Sequence, residues 1–307
     1  MTGERSVILG TRGSRLALVQ AEGCAAVLRD AGIEVEVRTI RTTSEHHPDT
    51  PLAVIDQRDV FTRQLDEALL SGEIDLAVHS LKDVPTGLPE GISLVAITRR
   101  HDPSDVLVSD DRYTVEGLPY GAVVATSSLR RRAQLLHHRP DLEIVGIRGN
   151  VDTRVRKMRE GAADAVVLAR AGLERLGLDA PHTVIPTDMV LPAVGQGALA
   201  VATRRDHPLC VPIREVLNHA TTERAVLAER AMLRALEGGC RVPVGASSTI
   251  VGGVVRLSGV VISPDGALVY RAEAEGEEPE EVGNRLAFDL LEQGAAVVLG
   301  EVREVRS

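Results

Sequence analysis

One stretch of the chain decides the fold: Gly72-Glu73-Ile74-Asp75-Leu76-Ala77-Val78-His79-Ser80-Leu81-Lys82-Asp83-Val84-Pro85. A helical pattern from about Val60 to Leu70 stops at Ser71-Gly72, and the apolar run Ile74 to Val78 has the length of a buried strand. Polar side chains begin at His79, where that strand ends. The stretch therefore predicts a helix, a buried strand and a polar strand end in direct succession, an order typical of α/β proteins.

The same order recurs further along the chain, where Gly161-Ala162-Ala163-Asp164-Ala165-Val166-Val167 repeats the pattern of 72–78. The first stretch is preceded by predicted elements in this order: strand Ser6 to Leu9, helix Leu16 to Leu28 and strand Ile33 to Ile40. The second belongs to another such series: strand Ala122 to Ala125, helix Ser127 to His138, strand Glu143 to Ile147, helix Val151 to Gly161 and strand Ala165 to Leu168. This alternation predicts two α/β domains with helix-covered sheets.

The C-terminal third follows a different pattern, in which strands are separated by short turns. A predicted helix from about Thr222 to Leu236 precedes strands at Ser248 to Val251, Val254 to Val261 and Ala267 to Ala272, and a helix from about Glu280 to Glu292 follows them. This third part is expected to be a small α+β domain. The expected boundaries are 1–98 plus 197–216 for the first domain, 99–196 for the second and 217–307 for the third.

Composition narrows the class of ligand. The 307 residues carry a formal net charge of -9, which disfavours binding to nucleic acid or to anionic membrane surfaces. Eight arginines nevertheless lie between Ser127 and Glu160, and this concentration of positive charge indicates a small anionic ligand. Three widely spaced cysteines and adjacent histidine pairs favour neither a disulfide framework nor a metal site. No apolar run approaches the roughly 18 residues of a membrane span, so we expect a cytoplasmic protein.

Polar clusters follow several predicted strands, at the sheet edge where α/β proteins bind ligands. The clusters are Thr11-Arg12-Gly13-Ser14, His79-Ser80-Leu81-Lys82-Asp83, Thr126-Ser127-Ser128-Leu129-Arg130-Arg131 and Arg148-Gly149-Asn150. Hydroxyls and guanidinium groups together favour carboxylate or phosphate ligands. Each cluster also has a purely structural interpretation, because serines cap helices, arginine runs form solvated faces, and aspartate before Val84-Pro85 suits a turn. Taken alone, Cys240 is more typical of a small buried apolar residue.

Taken together, the strings resemble those of a known family, the porphobilinogen deaminases, also called hydroxymethylbilane synthases. The resemblance is carried by His79 to Pro85 and Thr126 to Arg131, and by two further strings in the same order: Leu191-Pro192-Ala193-Val194-Gly195-Gln196-Gly197 and Glu237-Gly238-Gly239-Cys240-Arg241-Val242-Pro243. It covers nearly the whole chain. It implies a transferase that joins four porphobilinogen molecules into a linear tetrapyrrole, acting as a monomer on a small-molecule substrate without nucleic acid or membrane partners.

The resemblance also implies roles for individual residues. Members of the family build a dipyrromethane cofactor from their own substrate and attach it to a cysteine, which corresponds to Cys240, and their catalytic aspartate corresponds to Asp83. The implied cofactor contacts are Ser80, Lys82, Thr126, Ser128, Arg130 and Arg131. The implied substrate contacts are Arg12, Ser14, Arg148, Arg154, Arg175 and Gln196.

The chain departs from the family in one segment. Where most members have a glycine-rich segment, this chain has Asp56-Gln57-Arg58-Asp59, and the resemblance implies that the segment covers the site. The alternative to an enzyme is a non-catalytic protein that binds a tetrapyrrole or another anion, since paired α/β domains also resemble periplasmic-type binding folds. Retention of both Asp83 and Cys240 favours the enzyme, because a binding protein needs neither.

Overall fold

The computed structural model describes residues 6–41, 62–236 and 243–304, which form two compact units. Unit 1 comprises Met1–Arg100 and Ala198–Glu223, and unit 2 comprises His101–Gly197 and Arg224–Ser307. The described residues contain no helix long and apolar enough to cross a membrane.

Unit 1 is built on a five-stranded mixed sheet. Its elements are β1 (Val7–Thr11), α1 (Arg15–Asp30), β2 (Val35–Thr39), α2 (Arg63–Ser71), β3 (Leu76–Ser80), a 3-10 turn (Leu81–Asp83), β4 (Ile92–Ile97), β10 (Leu199–Arg204) and α6 (Cys210–Leu217). The strand order is β2-β1-β3-β10-β4, with β1, β2 and β3 parallel and β10 antiparallel to both of its neighbours. The carboxyl ends of the three parallel strands therefore share one edge of the sheet.

Unit 2 contains a second sheet with the same plan. Its elements are β5 (Asp105–Val108), β6 (Val123–Ala125), α3 (Leu129–His138), β7 (Glu143–Val145), α4 (Val151–Lys157), β8 (Ala165–Ala169), α5 (Arg170–Leu176) and β9 (His182–Val184). The strand order is β7-β6-β8-β5-β9, with β6, β7 and β8 parallel and β5 antiparallel to β8 and β9. The two sheets thus correspond strand by strand, each with an antiparallel strand in the fourth position.

The repeated sequence pattern has the same structural role in both sheets. The Asp75 carboxylate accepts a hydrogen bond from the Ile8 N–H at 2.9 Å, and the Asp75 N–H donates to the Ile8 carbonyl at 2.8 Å. Asp164 makes the same pair of bonds with Val123, at 2.7 Å and 2.9 Å. Each aspartate therefore ties the start of the central strand to the strand beside it, which explains why the pattern occurs twice.

The third sheet is antiparallel and also belongs to unit 2. It comprises β11 (Val244–Val251), β12 (Val254–Ile262) and β13 (Val269–Gly276), accompanied by α7 (Ala220–Ala235), α8 (Pro279–Glu292) and α9 (Ala296–Glu304). Side chains from this sheet and from its helices, such as Met232, Leu257 and Leu286, form one aliphatic core. Two α/β sheets and a small α+β part confirm the predicted fold class.

The turn between β12 and β13 packs tightly against α3. Gly266 has a φ of 79°, and a side-chain carbon there would lie 2.7 Å from both the Ala133 carbonyl oxygen and the His137 nitrogen. The His137 ring nitrogen Nδ1 lies 3.1 Å from the Gly266 carbonyl oxygen. Only glycine suits this position, because it tolerates both the positive φ and the close approach. The turn therefore fixes the C-terminal end of α3 within unit 2.

Four strands, β4, β5, β9 and β10, were not predicted from the sequence. β10 is a buried, alanine-rich strand, and alanine is depleted in strands. The expected three-domain boundaries stay a prediction. The structure has two units, in which the third sheet belongs with the second and residues 217–223 belong to unit 1.

Candidate functional site

Asp83 lies at the carboxyl edge of the unit 1 sheet, in the 3-10 turn that follows β3. Buried Leu81 anchors this turn, and its N–H donates to the Ala198 carbonyl at 3.0 Å. The Asp83 side chain is half-buried, and in the described part of the chain no hydrogen bond uses its carboxylate. A carboxylate held on a fixed turn and not used for structure is available for chemistry.

Other predicted residues lie at the same edge of unit 1. Ser80 shares hydrogen bonds of 3.2 Å and 3.3 Å with Gln20 of α1, a partner that sequence reasoning missed. Ser14 caps α1, accepting a hydrogen bond from the Ala17 N–H at 3.3 Å. Arg12 and Lys82 are both half-buried there. The parallel strands thus bring five of the predicted residues to one edge: Arg12, Ser14, Ser80, Lys82 and Asp83.

His79 is the last buried residue of β3 before this edge. Burial, together with the positive charge of Arg12, lowers the pKa of His79 to about 4. The imidazole is therefore neutral near pH 7, which avoids placing a second cation beside Arg12.

The depressed pKa of His79 gives a test of this arrangement. Between pH 6.5 and about 4 the unfolded chain binds a proton at this histidine that the folded chain does not, so stability falls as the pH falls. We expect the free energy of unfolding in urea to drop by about 2 kcal/mol more in the wild type than in His79→Asn between about pH 7.5 and pH 5. Equal slopes for wild type and His79→Asn would contradict the assignment.

In unit 2, the N-terminus of α3 lies at the carboxyl edge of the second sheet. Ser128 is the N-cap of α3 and accepts a hydrogen bond from the Arg131 N–H at 3.4 Å, so the capping interpretation is confirmed for Ser128. Thr126 Oγ1 accepts from the Ser128 N–H at 3.2 Å. Ser127 instead bonds to the backbone of Ile147 at 2.7 Å and 3.0 Å, which ties α3 to the end of β7.

Arg130 and Arg131 are buried, with 5% and 6% of their surface exposed. Both guanidinium groups donate to one carboxylate, that of Asp105 at the start of β5, at 2.8 Å and 2.7 Å. The solvated-face interpretation is therefore wrong for these two arginines and holds only for exposed Arg132. Sequence reasoning missed Asp105, because the strand that carries it was not predicted.

The charges in this cluster do not cancel. Burial raises the pKa of Asp105, but the two guanidinium groups and the Gln196 amide lower it further, so that the carboxylate stays ionised well below its usual range. Burial also lowers the pKa of Arg130, and the charge of Arg131 adds to this effect while Asp105 opposes it. Two arginines and one carboxylate leave one buried positive charge in excess, which an anionic ligand would neutralise.

The remaining predicted arginines of unit 2 are half-buried. Arg154 Nε donates to the Gly149 carbonyl at 2.8 Å, and Arg175 donates to the Gly197 carbonyl at 2.6 Å. Arg148 lies in the turn before α4, and its carbonyl accepts from Lys157 at 3.2 Å. The second sheet edge thus collects hydroxyls and guanidinium groups, a donor set suited to a ligand with several carboxylates.

Gln196 has a different placement from the other predicted substrate contacts. It is 1% exposed, and its amide nitrogen donates to the Pro103 carbonyl at 2.6 Å and to Asp105 at 2.8 Å. A direct contact between Gln196 and substrate stays a prediction, as do the other assigned contacts.

Two sequence predictions lie outside the described residues. Cys240 falls in the segment between Leu236 and Pro243, both of which are described and buried. The atypical Asp56-Gln57-Arg58-Asp59 falls between residues 41 and 62.

The family models and the curated relatives that match this chain name one family. Residues 7–211 match the family model described as porphobilinogen deaminase, dipyromethane cofactor binding domain, and residues 223–292 match the porphobilinogen deaminase C-terminal domain. A porphobilinogen deaminase of Rubrobacter xylanophilus is 69% identical over 300 residues, covering 98% of each chain. One of Desulforudis audaxviator is 50% identical, covering 97% of this chain and 98% of the relative. Among solved structures, the methionine-binding protein MetQ is similar over 69% of this chain and 89% of its own, with 15% identity and a TM-score of 0.45.

Proposed function

The chain belongs to the porphobilinogen deaminase family, and from this premise we propose that it deaminates porphobilinogen and joins four molecules head to tail into hydroxymethylbilane. The family and the comparisons support an enzyme of tetrapyrrole biosynthesis. The observation that carries the finer proposal is Asp83, a half-buried carboxylate at a strand end with no structural hydrogen bond among the described residues.

The reaction requires both charge stabilisation and proton transfer. Breaking the carbon–nitrogen bond of porphobilinogen releases ammonia and leaves a cationic azafulvene, which the free pyrrole position of the growing chain then attacks. A proton must leave that pyrrole after the new carbon–carbon bond forms. One fixed carboxylate at Asp83 would stabilise the cation and carry the proton. Four porphobilinogen molecules and one water give one hydroxymethylbilane and four molecules of ammonia, so no oxidant or reductant is needed.

Residues 7–211 match the family model of a dipyrromethane cofactor binding domain. The hydroxyl and guanidinium donors described above suit the carboxylates of that cofactor. When bound, the dipyrromethane supplies a fixed terminal pyrrole that primes the growing chain. The residues proposed to hold it are Cys240 through a thioether, and Ser80, Lys82, Thr126, Ser128, Arg130 and Arg131 through its carboxylates. The excess positive charge at Arg130 and Arg131 supports this assignment, because acetate and propionate groups are anionic at neutral pH. Arg12, Ser14, Arg148, Arg154 and Arg175 are proposed to bind the carboxylates of the substrate.

The test is to incubate the purified chain with porphobilinogen and to measure ammonia and hydroxymethylbilane together. We expect four molecules of ammonia for each bilane formed. Porphobilinogen that binds but is recovered unchanged, from protein of native fold, would instead support the non-catalytic tetrapyrrole-binding alternative. The cytoplasmic location and the monomeric state are part of this proposal and rest on the sequence alone.

A further inference from the structure

Asp105 is the centre of a buried network in unit 2, and the sequence patterns assign it no role. Its side chain is fully buried, and it accepts hydrogen bonds from Arg130 at 2.8 Å, Arg131 at 2.7 Å and Gln196 at 2.8 Å. Its backbone is fixed as well, because Asp105 pairs with Ala169 in the sheet and its carbonyl accepts from the Ile185 N–H at 2.9 Å. The carboxylate therefore has a defined position.

The other ends of the same donors are also fixed. Arg130 donates through its second terminal nitrogen to the Leu191 carbonyl at 2.6 Å, and Arg131 donates in the same way to the Val167 carbonyl at 3.0 Å. Each guanidinium thus bridges Asp105 and a backbone carbonyl, which leaves it one orientation. The Nε of Arg131 is buried and has no hydrogen-bond partner within the described ranges. The network consequently retains both an unused donor and an excess positive charge.

Asp105 has two effects on the arginines: it offsets the repulsion between them, and it holds them close together. Without Asp105, two adjacent guanidinium groups would repel each other in a buried site and would lose their shared acceptor. With it, they stay close together at the N-terminal end of α3 and carry a single excess charge, which matches one carboxylate.

We propose that Asp105 is a positioning residue, which orients the guanidinium groups of Arg130 and Arg131 so that together they bind one carboxylate of the dipyrromethane cofactor. Gln196 supports Asp105 in this role by holding one of its oxygens. The proposal rests on the proposed function, because that function supplies the carboxylate-bearing group.

The experiment compares Asp105→Asn with a matched control, Asp141→Asn. Asp141 also pairs with an arginine in unit 2, Arg139, at 2.7 Å, but no predicted cofactor residue bonds to it. Wild type and both variants are produced in cells that cannot make porphobilinogen. Porphobilinogen is then added to each purified protein, and the rate at which the covalent adduct appears is followed by intact mass. The nitrogen NMR signals of the arginine side chains report separately whether rotation of the guanidinium groups is hindered.

We expect Asp105→Asn to acquire the adduct at least about tenfold more slowly than wild type and to lose the hindered-rotation signals of Arg130 and Arg131. Asp141→Asn should acquire it at the wild-type rate. A folded Asp105→Asn protein that acquires the adduct within about twofold of the wild-type rate would overturn the proposal. Wild-type protein that acquires no adduct would overturn the proposed function, and this inference with it, so the two failures are distinguishable.

A second variant decides the question if Asp105→Asn does not fold. Gln196→Met removes the hydrogen bonds from the Gln196 amide to Asp105 and to the Pro103 carbonyl, without changing the charge of the network. We expect it to acquire the adduct several-fold more slowly, because the carboxylate is then held by the arginines alone. An unchanged rate in folded Gln196→Met protein would overturn the proposal.

Discussion

Asp83→Ala is expected to lower turnover by about a thousandfold or more, while the covalent adduct stays attached. The reason is that the variant loses both the stabilising charge and the proton carrier at once. Nothing in the described structure depends on the Asp83 carboxylate for a hydrogen bond, so the free energy of unfolding should change little. Steady-state turnover, intact mass and urea unfolding on the same preparation measure these three quantities.

Two further variants sharpen this prediction. Asp83→Glu keeps the charge on a longer side chain and should retain part of the activity, with intermediates held longer on the protein. Asp30→Ala removes an exposed carboxylate from the end of α1, in the same unit, and should match wild type. Near wild-type turnover in Asp83→Ala, with the adduct present, would show that another group carries the chemistry.

Cys240→Ala is expected to abolish both the covalent adduct and turnover, because a growing chain without an anchor is lost to solvent. The two described cysteines are poor alternatives. Cys24 is 3% exposed and belongs to the aliphatic core of unit 1. Cys210 lies 3.6 Å from the Arg204 carbonyl, beyond the end of β10, where that strand pairs with the start of β3. That position is the sheet edge opposite to Asp83.

Peptide mass spectrometry after incubation with porphobilinogen tests the anchor directly. The adduct should appear on the peptide that contains Cys240 in wild type, and in a Cys210→Ala control as well. An adduct on Cys24 or Cys210, or an unmodified protein that still turns over, would rule out Cys240 as the attachment site.

Local patterns were sufficient for the alternating elements and for the residues that follow them. The apolar run after Gly72 and its repeat after Gly161 identified the central strand of each sheet, and the end of the first of these strands identified the polar cluster at 79–83. The same patterns were sufficient for Ser128, because capping depends only on the neighbouring residues in the helix.

Local patterns failed where a residue depends on a distant strand. Three consecutive arginines at the start of a helix are typical of a solvated face, and only an acceptor from elsewhere in the chain makes burial of two of them possible. That acceptor, Asp105, opens a four-residue strand whose antiparallel partners come much later in the sequence. The link between Gln20 and Ser80 was missed for the same reason.

The division into two units has a practical spectroscopic consequence. The chain has no tryptophan, and all three of its tyrosines, Tyr113, Tyr120 and Tyr270, belong to unit 2. Tyrosine fluorescence therefore follows unfolding of unit 2 alone, whereas far-ultraviolet circular dichroism follows the helices and strands of both units. Urea transitions that differ between these two probes would mean that the units unfold separately, and a tryptophan placed in unit 1 would give that unit a signal of its own.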